Sequence, residues 1–410
     1  MKKKKQLLLG GIIFLSLINI LFLSLLVSPS ESEQRQNKII PTSAPIIDLT
    51  KKQMSFEQLQ SYFKNVSDSK GAVYSYDVLR NALLPSNTDI HLLGHAIGDK
   101  LYEQKGVDGM QYCTHEFRNA CSHSIVVALF QARGEAALSM ISSTCRKAPG
   151  GSGAYTMCFH GLGHGVLSST GYDLEKTIEL CKKTGTKEFN NQEFPQCVGG
   201  AIMEIISGGG HDRELWLQRR ANYLNPSQPL YSCATLVPEE AKTLCYMYIS
   251  PFLLEATGAD IASPNKDDFL NAFTLCSTIP EKDKEHLTTC YGGFGKEFIV
   301  LAQDRDIRKT ENMTNKQLSQ VEEWCVLARN SEGIEACIES AMQSLFWGGE
   351  NSYSVAVNFC NILREKDYQK NCFNNLIQAV SVYIQDSAYK KEFCSSLPSQ
   401  MLNPCQERLL

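Results

Sequence analysis

The sequence predicts an all-α protein built from tandem disulfide-linked helix pairs that form an αα-solenoid or a curved array. Three observations lead to this prediction. The cysteines fall into eight close pairs, and the segments that follow these pairs resemble one another. Signals for strands are scarce, because we find no alternating β-branched runs and no Asn-Gly hairpin turns.

The N-terminus predicts a membrane anchor. Four lysines, Lys2 to Lys5, precede an apolar run from Leu7 to Val27. About 20 apolar residues span a bilayer as a helix, and the basic cluster stays on the cytoplasmic side. We therefore predict that residues 1–27 are a basic cytoplasmic end and a single-pass transmembrane signal-anchor in the cell membrane, with the C-terminal part extracytoplasmic. A cleaved signal peptide is the alternative.

The rest of the chain divides in two. Residues 28–50 are rich in Ser, Pro and Gln and lack periodicity, which is typical of a flexible extracytoplasmic tether. Helical spacing of apolar residues begins after Ser55, and we expect residues 51–410 to form the helical-repeat domain.

The cysteines define the repeat. The chain has 16 cysteines without a Cys-x-x-Cys pair, which favours disulfides in an oxidising compartment over a zinc ribbon or a thioredoxin-type site. The close pairs are Cys113/Cys121, Cys145/Cys158, Cys181/Cys197, Cys233/Cys245, Cys276/Cys290, Cys325/Cys337, Cys360/Cys372 and Cys394/Cys405. Successive second cysteines lie 33 to 48 residues apart, the length of αα-repeat units.

Each unit is interpreted as a cysteine, helix A, a turn, helix B and another cysteine. A glycine often closes helix A, as a C-cap does (Gly134, Gly171, Gly208, Gly258 and Gly348). Disulfides could form across each short loop or within each helix pair. We favour pairing across the loops because it uses every cysteine, whereas pairing within the helix pairs leaves Cys113 and Cys405 without a disulfide partner.

Five of the eight histidines share one register of this repeat, in the segment 89–211: His91, His95, His123, His160 and His164. HLLGH (91–95) and HGLGH (160–164) each place two imidazoles on one helix face, the spacing by which helices bind zinc. Equivalent positions of stacked units form a row, so we predict a metal site on these five residues, with Zn, Cu or Fe as the divalent transition metal. The alternative is that they are ordinary lining residues of the array.

Other side chains near this row are weaker candidates. Glu204, in the unit after His160 and His164, is a candidate catalytic base or bridging carboxylate, although an exposed helix glutamate is the commoner fate. Further candidate donors are Asp89, Asp99, His115 and Glu116. We expect His211 and His286 to lie on the surface without a function.

Composition and missing motifs restrict the function. Lys+Arg 40 against Asp+Glu 44 gives a net charge of -4, which does not favour nucleic acid as a partner. P-loop, GxGxxG, GxSxG and HExxH motifs do not occur. We therefore expect a metal-dependent enzyme or a metal-binding protein. The alternative is a non-enzymatic scaffold that binds a peptide, a glycan or an envelope or extracellular protein on its concave face. The sequence leaves open whether the protein catalyses a reaction.

Overall fold

The computed structural model describes residues 44–52, 54–208 and 213–410. Residues 44–410 form one compact unit. The predicted anchor, 1–27, and residues 28–43 of the predicted tether lie outside the described residues. In the described part the fold is all-helical, as predicted, and the β-pairing found there is one isolated bridge between Asp48 and Leu83.

Twenty α-helices, α1 to α20, run through the described residues. In chain order they are α1 Phe56–Lys70, α2 Ala72–Asn81, α3 Ile90–Lys105, α4 Ala120–Arg133, α5 Leu138–Cys145, α6 Gly151–Ser169, α7 Leu174–Cys181, α8 Glu193–Ser207, α9 Arg213–Arg220, α10 Tyr231–Ala234, α11 Glu239–Tyr248, α12 Ser250–Ala256, α13 Lys266–Cys276, α14 Lys284–Leu301, α15 Asn315–Cys325, α16 Ser331–Phe346, α17 Tyr353–Ile362, α18 Lys366–Tyr383, α19 Ser387–Ser396 and α20 Ser399–Leu409.

Short polar signals set the helix ends. Ser55 caps α1 in a capping box with Gln58, each side chain accepting the other's backbone N–H. Before this helix, Leu49 is buried and its N–H donates to the carbonyl of Leu83 at 2.9 Å. The last residues of the predicted tether therefore pack against the helical unit.

The predicted glycine ends of helix A are mostly found. Gly134, Gly171, Gly258 and Gly348 have positive φ, the backbone conformation that glycine adopts without strain. Gly208 follows α8 with φ of -80°, so it ends that helix without a left-handed residue.

All eight disulfides join the close cysteine pairs, so the predicted pairing across the loops is confirmed. No described cysteine is free. The expectation that helix A starts at the second cysteine is wrong. The helix begins earlier, by one residue at Ala120 before Cys121 and by seven residues at Gly151 before Cys158. Each disulfide therefore holds the side of one helix against the end of the preceding one.

The helices that carry the second cysteines pack against one another in chain order: α4 on α6, then α8, α11, α14, α16, α18 and α20. In front of them, α3, which has no cysteine, packs on α4. Two glycines at the same register make close approach possible. A Cβ at Gly163 would lie 2.0 Å from the carbonyl oxygen of Cys197, and one at Gly295 would lie 2.0 Å from that of Cys337. A side chain at either position would force the two helices apart.

Early and late parts of the chain meet. Arg118 donates to Ser344 Oγ at 3.0 Å, and Arg308 donates to the carbonyl of Leu79 at 2.6 Å. Such contacts bend the row of helices round on itself and leave a cavity of about 420 Å³ between them. The regular superhelix of a solenoid stays a prediction.

One helical stretch in the described residues, Ala120–Cys145, is long and apolar enough to cross a membrane by length and composition alone. It comprises α4 and α5. Cys121 and Cys145 bond to neighbouring segments, and α4 packs against both α3 and α6. These contacts are those of a core helix.

Candidate metal centre

Three neighbouring helices bring the five predicted histidines together. His91 and His95 lie on α3, His123 on α4, and His160 and His164 on α6. The ring centroids of His91 and His95 are 4.7 Å apart, and His123 lies 5.7 Å from both. The centroid of His160 is 5.6 Å from His123 and 5.2 Å from His164. The imidazoles therefore form one continuous cluster.

The hydrogen bonds of α3 define the tautomers of its two histidines. Nδ1 of His91 lies 2.8 Å from the carbonyl oxygen of Phe117, so it carries the proton and donates it. Nδ1 of His95 lies 3.1 Å from Ser124 Oγ. Because that hydroxyl donates to the carbonyl of His95 at 2.9 Å, its oxygen is left to accept from Nδ1. Both neutral rings therefore present a lone pair on Nε2.

These two lone pairs face each other. The Nε2 atoms of His91 and His95 are 3.1 Å apart. Two nitrogen ligands about 2.05 Å from one ion are about 2.9 Å apart at a right angle and about 3.4 Å apart at the tetrahedral angle. A donor nitrogen of His123 completes a trio whose ligand atoms all lie within 4.8 Å of one another. The trio could therefore hold a metal ion.

Glu204 holds the fourth imidazole. Its Oε2 lies 2.8 Å from Nδ1 of His164, and its Oε1 accepts from the hydroxyl of Tyr172 at 3.1 Å. The carboxylate is buried, so the expectation that Glu204 is an exposed helix residue is wrong. Nε2 of His164 is buried without a hydrogen-bond partner among the described residues. A carboxylate behind a histidine is how proteins orient a metal-binding imidazole, and these contacts favour a positioning role for Glu204 over the predicted general base.

The fifth imidazole, His160, lies beside a sulfur atom. Its Nε2 is 3.2 Å from Met203 Sδ, and its Nδ1 is buried without a hydrogen-bond partner among the described residues. The ring centroid of Tyr248 is 5.8 Å away. This side of the centre therefore combines an imidazole with a soft thioether.

Burial disfavours the charged form of His91 and His160. It lowers the pKa of His91 to about 4, against the opposing effects of Asp89 and of the Phe117 carbonyl. Burial also lowers the pKa of His160 well below its ordinary value, and the neighbouring His164 adds to this effect. Neutral imidazoles with available lone pairs are the form that binds a metal.

The centre opens into the cavity. His91, His123 and His160 line it together with residues of α11, α14 and the segment after α16. A volume of about 420 Å³ lies in the range of small-molecule sites. A ligand in this cavity would therefore reach the imidazoles.

The other predicted donors have different fates. Asp89 lines the cavity, but its Oδ1 caps α3 by accepting from the N–H of Leu92. Glu116 pairs with Arg80 at 2.9 Å. The surface position expected for His286 is wrong, because α14 begins at Lys284 and buries this ring beside Tyr246, with Nε2 2.9 Å from a Glu239 oxygen. His211 lies outside the described residues.

Sequence reasoning missed part of the cavity wall. Met203, Met247 and Lys296 occupy the same repeat register as the histidines and line the cavity, so the register could have found them. Arg118 and Trp347 also line it, but they lie in connecting segments. The repeat gives no signal for such positions.

An arrangement of helices can host many unrelated functions, so the function of a site depends on the chemistry of its own residues. Three converging imidazoles, with a fourth held by a carboxylate, have the chemistry of a transition-metal site. No family model, no curated protein and no solved structure matches this chain.

Proposed function

We propose that this chain is a membrane-anchored, extracytoplasmic metalloprotein. His91, His95 and His123 hold a divalent transition metal, and His160 and His164 extend the site. The observation that supports this most strongly is the 3.1 Å separation of the Nε2 atoms of His91 and His95, both of which present lone pairs. A cation between them removes a repulsion that the buried site otherwise has to bear.

The donor set limits the metal to those that accept imidazole. Neutral imidazole suits Zn, Cu and Fe alike. The thioether of Met203 beside His160 is a soft donor, which copper accepts more readily than the other two metals. Elemental analysis distinguishes the three.

The cavity supports a reaction at the metal. Three protein ligands leave a coordination position for water or substrate, as in catalytic zinc sites. The cavity volume fits a small molecule. This favours a metal-dependent enzyme over the alternative scaffold, in which the concave face binds a peptide, a glycan or another envelope protein.

The cysteines and the N-terminus support the proposed location. Eight disulfides favour an oxidising compartment. The basic cluster and apolar run of residues 1–27 would anchor the chain with its helical unit on that side. A membrane-impermeant thiol reagent added to intact cells should therefore label the chain only after its disulfides are reduced.

The test is the metal content of the full-length, oxidised protein purified in detergent from metal-replete growth. We expect about one ion per chain in the wild type, and its loss in the double variant His91→Ala/His95→Ala. His115→Ala is the matched control, because it removes a histidine outside the cluster. Circular dichroism and the absence of free thiols show that the variants are folded. Metal-free wild-type protein would rule out the proposal.

A further inference from the structure

Five cationic side chains line the same cavity as the histidines, and two of them, Arg118 and Lys296, lie beside Trp347. Arg118 donates to Ser344 Oγ at 3.0 Å, and Lys296 Nζ lies 3.9 Å from Met203 Sδ. Neither forms an ion pair with a carboxylate among the described residues. Glu297 is near both, but it pairs with Arg305 at 3.2 Å. Arg118 and Lys296 therefore lack a directly bonded carboxylate among the described residues, and the more distant Glu297 favours the charge of both only in part.

An aromatic side chain joins them. The guanidinium of Arg118 lies 4.6 Å from the ring centroid of Trp347, and Lys296 Nζ lies 5.9 Å from it. Trp347 has φ 47° and ψ 50°, a left-handed conformation that bulky residues rarely adopt. Its buried indole Nε1 has no hydrogen-bond partner among the described residues. Three groups that donate hydrogen bonds thus surround one part of the cavity.

The charged forms of Arg118 and Lys296 are unfavourable in this buried part of the cavity. Burial lowers the pKa of Lys296 to about 7, and the charge of Arg118 adds to this effect. Burial likewise lowers the pKa of Arg118 to about 10. An anion between them offsets both costs, because charge-assisted hydrogen bonds are strong in a water-poor site.

Another part of the cavity wall is apolar. Leu92, Ile206, Trp216 and Val300 line it. A ligand that fills the cavity therefore needs an apolar body as well as a charged end.

We propose that the cavity binds a small amphiphilic anion. Its carboxylate or phosphate group is held by Arg118, Lys296 and the indole N–H of Trp347, and its apolar body lies against the apolar wall. This inference rests on the proposed function in placing the ligand beside the metal, although the anion subsite contains none of the five histidines.

The test is isothermal titration of the full-length, oxidised protein with octanoate and octyl phosphate, and with 1-octanol as the neutral comparison. We expect both anions to bind more tightly than 1-octanol, and the tighter anion identifies the headgroup. Arg118→Gln and Lys296→Met should each weaken anion binding by on the order of tenfold. Lys316→Met, which removes an exposed lysine that does not line the cavity, should leave anion affinity unchanged.

Unchanged anion affinity in both cavity variants would overturn the inference, as would 1-octanol that binds as tightly as the anions. Metal content is measured on the same samples. Wild-type protein that binds the anions but contains no metal when purified from metal-replete growth counts against the proposed function alone. Protein that holds its metal but binds neither anion counts against this inference alone.

Discussion

Each imidazole whose Nδ1 contacts an oxygen atom is fixed in one tautomer by that oxygen. The partner is a backbone carbonyl for His91, a hydroxyl for His95 and a carboxylate for His164. All three arrangements leave Nε2 to bind a metal, but the carboxylate increases the basicity of its ring most. At the scale of single residues, Glu204 is therefore the side chain outside the cluster to which metal affinity should be most sensitive.

We predict that Glu204→Gln lowers metal affinity, by at most the roughly 10- to 100-fold that follows loss of a carboxylate behind a direct metal ligand, because His164 extends the site beyond the three proposed ligands. The amide keeps the shape and the contact with Tyr172 but removes the negative charge. Competition with a chelator of known affinity measures the change, and thermal unfolding checks that the fold is retained.

Glu193→Gln is the matched control for this prediction. Glu193 is also buried and also accepts from a tyrosine, Tyr155, at 3.1 Å, but its carboxylate makes no contact with a histidine of the cluster. Equal metal affinity in the Glu204 variant and the wild type would contradict the positioning role. Equal losses of metal affinity in both variants would mean that replacing any buried carboxylate has this effect, whether or not it contacts a histidine.

The sequence predicted which histidines belong together, because the repeat register aligned them before any contact was known. It placed Glu204 in the unit after His164 but expected an exposed side chain, because the register does not show that the His164 ring and the Tyr172 hydroxyl bind this carboxylate in the interior. It misplaced His286 because the charged run before this residue resembles a loop, whereas it forms the polar first turn of α14.

Between helices, the glycines of α6 control how closely the rings approach. A Cβ at Gly161 would lie 2.5 Å from Cα of His123, so α4 and α6 meet backbone to backbone at this point. The contact lies directly between His160 and His123 in the cluster. Glycine here sets the distance between two helices that carry imidazoles.

We predict that Gly161→Ala destabilises the fold by about 1–3 kcal/mol, the usual cost of overpacking, although alanine favours helix by about 1 kcal/mol. Metal affinity should fall with it, because α4 and α6 must separate. Thermal unfolding and chelator competition measure the two effects.

Gly292→Ala is the control for this substitution. Gly292 occupies in α14 the register of His160 in α6, but the nearest atom to its added Cβ is 3.4 Å away, which is an ordinary contact. This variant should be neutral or slightly more stable. Wild-type stability in the Gly161 variant would show that the helices can adjust without cost.

The disulfide Cys145–Cys158 anchors the helix that carries His160 and His164. We predict that Cys145→Ser/Cys158→Ser loses about 3 kcal/mol of stability on the chain-entropy model, and that it also weakens metal binding because α6 loosens. Denaturant titration measures the loss of stability.

The control variant Cys394→Ser/Cys405→Ser removes a disulfide that closes a loop of similar length, 11 residues, near the C-terminus. This control should lose a similar amount of stability and keep its metal affinity. An equal loss of metal in both disulfide variants would contradict the idea that Cys145–Cys158 acts locally on α6.

Across the whole molecule, the contacts that bend the array come from connecting segments and from the ends of helices. Ser152 donates to the carbonyl of Tyr383 at 2.7 Å, and Asn119 donates to both oxygens of Glu350 at 3.0 and 2.8 Å. The sequence predicted the unit and the row of equivalent positions. It could not predict where the row bends back, because the curvature of a repeat array depends on small rotations between units.

Glu350 makes this closure sensitive to pH. Burial raises its pKa to about 8, although the hydrogen bond from Asn119 opposes the shift. The folded state therefore favours the neutral acid, and the stability that this contributes is lost as pH rises from the unfolded value near 4.5 through the folded value. The variant Glu350→Gln keeps the contact with Asn119 and removes the charge. The free energy of unfolding of this variant minus that of the wild type should increase by up to about 1.4 kcal/mol per pH unit and level off above pH 8. Subtracting the wild type cancels the opposite slopes of His91 and Lys296, whose lowered pKa values favour folding at higher pH. Denaturant titrations from pH 5 to about 9 measure the difference.

Glu332→Gln, a substitution at an exposed position, is the control and should show no such slope. A difference that stays constant over this range would mean that Glu350 is charged in the folded protein.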